Sequence, residues 1–238
     1  MNAQTVQLLN QLNRLFYQTI ARSFDTTRSR PWPGWLELLP YAEAMHAKPL
    51  KILDLGCGNG RFGLFLHEQG LEIDYSGLDS SAFLLERARE ALVNHGILHH
   101  LTEADILDYE PGERFHLAVL FGVMHHVPGF ENRRKLLQRI MEWLEPGGLL
   151  ILTFWLFYED ETLKERIVPW DDPRVPEPYR GLAVEENDYL LDWRRDTFAL
   201  RYCHYVDAAE SLRLLDGVDI IADFTADKAN RYVIVRRM

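Results

Sequence analysis

Two adjacent histidines, His125 and His126, end an apolar run in the stretch LFGVMHHVPG. A glycine precedes the pair and a proline follows it, so the chain is expected to turn here. Histidines in such a place serve as a general base, as metal ligands, or as a wall that shapes a pocket. Adjacent residues do not share a face of a helix or strand, so neither this pair nor His99-His100 has metal-site spacing. We therefore predict no metal site.

A second candidate site is the glycine-rich stretch LDLGCGNGRFG. In it, Gly56, Gly58 and Gly60 follow an apolar run and precede a helical pattern, where they permit a sharp turn and close approach of a ligand. The segment from Gly58 to Gly63 also fits the G-x-G-x-x-G pattern of dinucleotide sites. That match begins two residues too late after the strand, so an NAD-dependent dehydrogenase is the lesser alternative.

Three carboxylates accompany this loop. Asp54 lies inside the preceding strand, where a buried carboxylate is costly without a partner. Asp79 ends the next strand, 23 residues after Gly56, where a carboxylate can accept both hydroxyls of a ribose. Asp105, in EADIL, ends the third strand, within reach of an adenine amino group; a helix cap is its alternative role. Together they predict a nucleoside-binding site.

The elements that must position these residues alternate between apolar runs and amphipathic stretches. The predicted strands are LKILDLG, EIDYSGLD, HHLTEAD, FHLAVLFG and LLILTFWLF, and the predicted helices are RFGLFLHEQG, SAFLLERAREALVNHG and ENRRKLLQRIMEWLEPGG. VDIIADF and RYVIVRRM are close enough across TADKAN to form an antiparallel hairpin. This order predicts an α/β, Rossmann-like fold: a seven-stranded, mostly parallel sheet with a C-terminal antiparallel hairpin and helices on both faces.

Two segments lie outside this pattern in what we predict to be a single domain over residues 1–238. Residues 1–48 predict a helical cover, whose first helix carries Leu9, Asn13 and Phe16 on one face. Residues 159–200 are rich in charge, proline and tryptophan without long periodicity. Such an insertion in a compact domain is typical of a lid or binding loop, here over the acceptor site.

Composition narrows the class of protein. The formal net charge is −10, which argues against nucleic-acid binding by bulk electrostatics, although Arg133-Arg134-Lys135 and Arg194-Arg195 remain candidate basic patches. The first of these patches most simply forms the solvated start of a helix. Only Cys57 and Cys203 are present, so we expect a reducing, cytoplasmic setting, with Cys57 a small buried residue of the glycine loop. No apolar run is long enough to span a membrane.

The motifs DLGCGNG, GLDSS, EADIL and FGVMHHV occur in the order and spacing of the class I S-adenosylmethionine-dependent methyltransferases, which residues 50–158 resemble. This resemblance implies S-adenosylmethionine as cofactor and S-adenosylhomocysteine as product. The glycines would bend around the methionine part, Asp79 would hold the ribose, Asp105 and Ile106 the adenine, and Phe121-Gly122 the sulfonium end. The further cofactor-binding residues predicted are Tyr17, Arg28, Trp32, Asp54, Cys57 and Ser80. For Trp32, packing and base stacking are equal alternatives.

Segments outside the cofactor motifs resemble the family that methylates the 5-carboxymethyl group of wobble uridine in tRNA and its bacterial relatives. They are YQTIARSFDTTRSRPWPGW, LEPGGLLILTFW, VPW and RYCHYVDAAE. The resemblance implies tRNA modification, with a small activator subunit as an open question. Cys203 departs from the family pattern by replacing an aromatic, and the segment before it lacks a long basic insertion. A smaller carboxylate acceptor, or tRNA presented by a partner, therefore stays open.

A carboxylate acceptor is ionised at neutral pH and needs a cation to orient it more than it needs a base. Arg28, Arg30 and Arg201 are the candidate cations, with Tyr17, Tyr202 and His204 as hydrogen-bond donors. His125 and His126 would then form the wall where cofactor meets acceptor, and His125 is the one we expect to take part in catalysis. For an amine or phenol acceptor, one histidine becomes the base. A non-catalytic subunit that kept the fold is an alternative of another class, and the oligomeric state stays open.

Overall fold

A seven-stranded sheet forms the centre of the protein. The computed structural model describes residues 1–27, 30–194 and 197–238, with the backbone alone at residue 194. The strand order is β3-β2-β1-β4-β5-β10-β9, parallel from β3 to β5 and antiparallel at β10 and β9. The strands are β1 (Leu50–Leu55), β2 (Ile73–Asp79), β3 (Leu98–Glu103), β4 (Phe115–Leu120), β5 (Leu144–Trp155), β9 (Asp219–Ala226) and β10 (Asn230–Arg236). The predicted fold class is confirmed.

Helices cover both faces of this sheet because its central strands are apolar on both sides. In β1 every residue except Lys51 is buried. The α-helices are α1 (Ala3–Thr26), α2 (Leu39–Glu43), α3 (Arg61–Glu68), α4 (Ala82–Asn94), α5 (Phe130–Trp143), α6 (Glu161–Lys164) and α7 (Ala208–Leu214). Short 3₁₀ helices add Pro33–Leu38, Met124–His126 and Phe157–Glu159. Within the described ranges, none of the helices has the length and apolarity needed to cross a bilayer.

The insertion contributes a second sheet, which the sequence analysis did not predict. It has three antiparallel strands in the order β6-β7-β8: β6 (Ile167–Val168), β7 (Asp188–Arg194) and β8 (Phe198–His204). Leu190 and Tyr202 face each other across β7 and β8 and pack with Leu9 and Leu12 of α1. The segment 159–200 is therefore largely an ordered layer between α1 and the rest of the protein.

Helix α1 crosses from this second sheet to the rim of the first. Asn2 caps its start by accepting a hydrogen bond from the Thr5 backbone N–H at 2.8 Å. Its apolar face is buried, and Asn13 is buried within that face. At its C-terminal end, Asp25 accepts a 2.9 Å hydrogen bond from Asn59 of the glycine loop. One helix thus contacts both sheets and the loop after β1.

Candidate active site

The residues with predicted chemistry surround one cavity of about 660 Å³ at the carboxyl ends of the parallel strands. This is the edge at which open α/β sheets bind ligands, and the volume is typical of a small-molecule site. The predicted cofactor residues that line it are Tyr17, Trp32, Asp54, Gly56, Cys57, Gly58, Asp79, Ser80, Asp105, Ile106, Phe121 and Gly122. His125, His126 and Arg201 line it as well.

The glycine loop forms the floor of one end of the cavity. Gly56 has φ +79°, and a Cβ atom there would lie 2.3 Å from Cγ2 of Val123. Gly58 has φ +55°, and the space that its Cβ would take is open. Any side chain at residue 58 would be strained and would enter this space, so the loop leaves a ligand direct access to the backbone. Gly60 does not line the cavity; it begins α3 and packs against Ala88.

Asp79 ties the loop to the end of β2. Its Oδ2 accepts a hydrogen bond from the Gly58 N–H and its Oδ1 accepts one from the Ser81 N–H, each at 2.9 Å. Burial raises the pKa of this carboxyl, and the backbone hydrogen bonds oppose the rise. A carboxylate has about four acceptor positions, so acceptor capacity remains for a ligand hydroxyl.

Asp54 is buried inside β1 and meets the partner that its position requires. The Tyr75 hydroxyl donates to its Oδ2 at 2.6 Å. Burial raises the pKa of Asp54 to about 7, and the nearby Asp79 carboxylate raises it while the Tyr75 hydrogen bond opposes the shift. The side chain thus changes charge near neutral pH while it lines the cavity.

Asp105 lies at the same edge and is held by α1. Arg14 Nη2 lies 2.7 Å from its Oδ2, and the Leu107 backbone N–H donates to its Oδ1 at 2.9 Å. Asp105 therefore closes a turn, whereas a helix cap was the alternative we predicted, and it lines the cavity. The contact from Arg14 could not be read from the sequence, because 91 positions separate the two residues.

The other end of the cavity contains a buried cation, Arg201 of β8. Its side chain is 9% exposed, and its Cζ lies 5.3 Å from the ring centroid of Phe16 and 4.8 Å from that of Trp155. Its Nε is buried without a hydrogen-bond partner among the described residues. Aromatic faces stabilise a guanidinium but do not neutralise it. The positive charge of Arg201 therefore affects nearby ionisable groups, and it lowers the pKa of His126.

His126 is a neutral imidazole. Its Nδ1 lies 2.9 Å from the Tyr202 carbonyl oxygen, which only accepts, and 3.3 Å from Asn13 Nδ2. Because the contact with the carbonyl is the shorter one, we assign the proton to Nδ1. Its Nε2 then accepts from the Tyr17 hydroxyl at 2.7 Å. Burial and the positive charge of Arg201 lower the pKa of His126 to about 3. His125 is also buried, and its ring centroid lies 4.9 Å from that of Trp155. Both histidines line the cavity, and their place between cofactor and acceptor stays a prediction.

Tyr202 and His204 lie away from the cavity, so their predicted contact with an acceptor is wrong. Successive side chains of a strand point to opposite faces, so the Tyr202 side chain points away from the face that carries Arg201. The Tyr202 hydroxyl donates to Asp188 at 2.6 Å. His204 lies between Asp188 and Glu210, 2.7 and 2.6 Å away. Arg28 lies outside the described residues. Arg30 is exposed and offers its carbonyl oxygen to Arg61.

Of the three residues predicted to form the solvated start of a helix, Arg133-Arg134-Lys135, the structure buries Arg133. Arg133 is fully buried and donates to Glu210 at 2.7 Å, to Glu185 at 3.1 Å and to the Val127 carbonyl at 2.9 Å. With Asp188, His204 and Tyr202 these residues form a buried charge cluster between α5, α7 and β8. The next residue, Arg134, is exposed and pairs with Glu131 of its own helix.

Two groups of side chains bring together atoms that metal ions bind: His125, His126 and Cys203, and Glu185, Asp188 and His204. In the first group both His126 nitrogens are engaged in hydrogen bonds, and burial raises the pKa of the Cys203 thiol to about 12. In the second, His204 and Asp188 hydrogen-bond each other and Arg133 contacts Glu185. Both groups are organised by protein contacts.

Comparison with known proteins agrees with this site. A family model described as a methyltransferase domain matches residues 52–148, which include the glycine loop, Asp79 and Asp105. The chain carries an S-adenosylmethionine-dependent methyltransferase domain. A solved S-adenosylmethionine-dependent methyltransferase from Clostridium acetobutylicum shares the fold, with a TM-score of 0.67 and 14% identity over 92% of this chain and 98% of that one.

Curated relatives of the methyltransferase domain differ in what they act on. A tRNA (carboxymethyluridine(34)-5-O)-methyltransferase from Arabidopsis thaliana is 27% identical over 61% of this chain, which spans only 33% of that protein. A carboxy-S-adenosyl-L-methionine synthase from Campylobacter hominis is 27% identical over 74% of this chain and 77% of its own length. A trans-aconitate 2-methyltransferase from Rhodopseudomonas palustris is 32% identical over 53% of this chain and 45% of its own length.

The methyltransferase domain fits S-adenosylmethionine on its own geometry. The open space over Gly58 and the remaining acceptor capacity of Asp79 lie in one cavity with Asp54 and Asp105. Sequence reasoning missed Asn13 and Phe16 as neighbours of the acceptor end. The signal for Asn13 was a polar residue on the apolar face of α1, whereas nothing in the sequence pairs Phe16 with Arg201.

Proposed function

We propose that this methyltransferase domain transfers a methyl group to a carboxylate oxygen of its acceptor and so forms a methyl ester. The observation that carries this proposal is the Arg201 guanidinium, buried at the cavity wall with no carboxylate partner among the described residues. A buried charge is costly unless it is paired. A carboxylate that enters the cavity would supply the missing partner.

The residues around Arg201 support a carboxylate more than a neutral acceptor. Guanidinium binds carboxylate through two parallel hydrogen bonds, which would orient one acceptor oxygen. When bound, S-adenosylmethionine supplies an activated methyl group on a sulfonium cation. The chain itself must align the acceptor and exclude water. Trp155 and His125 line this end of the cavity, Phe16 packs against Arg201, and Arg201 provides the anchor.

Amine and phenol acceptors fit less well because they require a base. His126 is a poor one, since burial and the nearby Arg201 lower its pKa to about 3 and both of its nitrogens are in hydrogen bonds. A carboxylate is already ionised at neutral pH and loses no proton during transfer. The acceptor that matches an anchoring cation beside a histidine that is a poor base is therefore an acid.

The names of two relatives support the same class of acceptor. Carboxymethyluridine, in the name of the Arabidopsis relative, and trans-aconitate, in that of the Rhodopseudomonas relative, both carry a carboxylate. We take a small carboxylic acid as the first candidate. Carboxymethyluridine in tRNA is the second, and it would need cations on the surface to contact phosphate groups.

Ion pairs occupy many of the cations on the described surface. Many exposed arginines pair with acids beside them; examples are Arg87 with Glu90, Arg89 with Glu86 and Arg134 with Glu131. The cavity rim adds the acids Asp25, Asp160 and Asp227. With a net charge of −10, this distribution favours a small acid over a polyanion.

A carboxylated form of the cofactor is a further candidate ligand for Arg201. The Campylobacter relative is named as a synthase of such a molecule, and here Asp79 and Arg201 line one continuous cavity. In that case Arg201 would hold a carboxylate on the cofactor itself. The experiment below distinguishes an acceptor carboxylate from a carboxylate on the cofactor.

The test supplies S-adenosylmethionine labelled in its methyl group, with trans-aconitate, free 5-carboxymethyluridine or total tRNA as acceptor. We expect base-labile label, as a methyl ester gives, and a loss in kcat/KM of about 100-fold or more in Arg201→Gln. Arg89→Gln, which removes an exposed arginine far from the cavity, is the matched control and should retain activity. Base-stable label, or full activity in Arg201→Gln, would refute the proposal. Recovery of a carboxylated cofactor by mass spectrometry from the protein as isolated, before any substrate is added, would support the further candidate.

A further inference from the structure

We propose that His126 and Asn13 are positioning residues, which fix Arg201 by holding the backbone N–H and carbonyl groups of its neighbour Tyr202. The inference rests on the proposed function, in which Arg201 binds the carboxylate of the acceptor. It gives His126 a role other than that of a base or a passive wall.

The backbone contacts lie directly beside Arg201. The Tyr202 N–H, which belongs to the peptide bond joining Arg201 to Tyr202, donates to Asn13 Oδ1 at 2.8 Å. The Tyr202 carbonyl accepts from His126 Nδ1 at 2.9 Å. Asn13 comes from α1 and His126 from the 3₁₀ helix after β4, so two separate elements meet at this point.

The position of β8 explains why these contacts matter. β8 is an edge strand of the three-stranded sheet, so alternate N–H and C=O groups along it have no partner strand. At Tyr202 both groups are satisfied by side chains instead, as buried backbone groups require. Asn13 and His126 thus set where this edge lies relative to the cavity.

Arg201 depends on its backbone more than most arginines do. No hydrogen bond to its guanidinium is present among the described residues, and its Nε is buried. The rings of Phe16 and Trp155 limit its rotation but give no directional anchor. The orientation offered to a carboxylate is therefore set by the strand that carries Arg201, and the strand is held by His126 and Asn13.

Tyr17 completes the arrangement on the cavity side. Its hydroxyl donates to His126 Nε2 at 2.7 Å, which keeps the other imidazole nitrogen protonated. His126 can then act toward Tyr202 only as a donor. Both nitrogens have a fixed use, and neither is left to remove a proton from an acceptor.

Two substitutions of His126 distinguish the roles of its two ring nitrogens. In His126→Asn the amide nitrogen takes the place of Nδ1, the same number of bonds from Cα, whereas in His126→Gln it lies one bond farther out, like Nε2. We expect His126→Gln to raise KM for trans-aconitate or 5-carboxymethyluridine about tenfold or more with a smaller change in kcat, and His126→Asn to restore most of that loss. Asn13→Leu should raise KM similarly. His95→Gln, an exposed histidine on α4, is the control.

A second measurement reports on Arg201 without any acceptor. The ¹⁵N–¹H signal of the Arg201 Nε–H group, assigned by its loss in Arg201→Lys, should shift or broaden in His126→Gln and stay near its native position in His126→Asn. A titration with S-adenosylhomocysteine checks that each variant is folded. A merely structural role would lower the melting temperature without moving this signal selectively.

The outcomes separate this proposal from the proposed function. If Arg201→Gln keeps full transfer, the proposed function fails. If Arg201→Gln is inactive but His126→Gln changes neither KM nor the Arg201 signal, the positioning role alone is refuted. If both His126 variants lose kcat and the acidic limb of the pH profile, His126 is a base and the positioning role is again refuted.

Discussion

The Nε atom of Arg133 lies 2.7 Å from Oε1 of Glu210, and both side chains are buried. Arg133 belongs to α5 and Glu210 to α7, so this ion pair joins two helices in the interior of the protein. Removal of one partner from a buried pair leaves the other charge without compensation. Loss of this buried pair should therefore destabilise the folded protein more than loss of the exposed pair between Arg134 and Glu131.

We expect Arg133→Ala to lower the free energy of unfolding by about 3 to 5 kcal/mol, because Glu210 and Glu185 lose their partner. Arg134→Ala, one position along the same helix, removes an exposed pair with Glu131 and should change it by less than about 0.5 kcal/mol. Urea denaturation at pH 7 measures both. Equal effects of the two substitutions would contradict the burial of Arg133.

His204 should make stability depend on pH. Burial lowers its pKa, but the hydrogen bonds to Asp188 and Glu210 outweigh burial and raise the pKa above the usual value, although the charge of Arg133 opposes this. A raised pKa stabilises the folded state fully below pH 6.5, and this contribution is lost as pH rises through the folded value. We expect the stability advantage of the native protein over His204→Gln to shrink between pH 6 and pH 9, as urea denaturation would show. A difference in the free energy of unfolding that stays constant over that range would contradict a raised pKa of His204 in the folded protein.

The ionised Asp54 carboxylate should lower the free energy of unfolding and contribute to the binding of the cofactor. Because burial raises its pKa to about 7, its ionised form destabilises the folded state, and the penalty grows from pH 4 to pH 7. Three pKa units correspond to roughly 4 kcal/mol. We expect Asp54→Asn to be more stable than the native protein at pH 8 and little different at pH 4.

The same Asp54→Asn variant should bind S-adenosylhomocysteine more weakly, since the substitution removes a carboxylate from the cavity wall. Calorimetric titration at pH 8 measures this affinity. Unchanged affinity together with higher stability would show that Asp54 has no role toward the cofactor.

Asp79 should control cofactor affinity directly. It holds the Gly58 and Ser81 N–H groups and keeps acceptor positions for ligand hydroxyls. We expect Asp79→Ala to weaken S-adenosylhomocysteine binding about 100-fold, whereas Asp74→Asn, at the start of the same strand, should bind normally. Parallel titrations of the two variants provide the comparison, and similar affinities would exclude Asp79 from the site.

The main sheet and the glycine loop were predictable because their signals are local. Apolar runs, turn glycines and acids at strand ends each occupy a few consecutive residues, and LKILDLG and GLDSS contain all three. The hairpin of β9 and β10 was likewise local, because the two strands flank the short segment TADKAN.

The second sheet and the buried charge cluster could not be predicted, because their determinants are distant in the chain. β7 is buried on both faces, so Asp188, Leu190, Leu191 and Asp192 do not alternate between apolar and polar. Arg133 reads as a surface residue until Glu185 and Glu210 are placed beside it from 52 and 77 positions away. Tyr202 was misplaced for a simpler reason, since it is adjacent to Arg201 on a strand and must face the other way.

Helix α1 contacts Asp105 through Arg14, the glycine loop through Asp25, and His126 through Tyr17, so it runs along both ends of the cavity. Two ligands that share one wall do not bind independently, because whichever binds first orders groups that the other also needs. The affinity for the cofactor and the affinity for the acceptor are therefore expected to be thermodynamically linked, each changing by the same factor when the other ligand is present. The helix thus acts as a shared component of both binding equilibria.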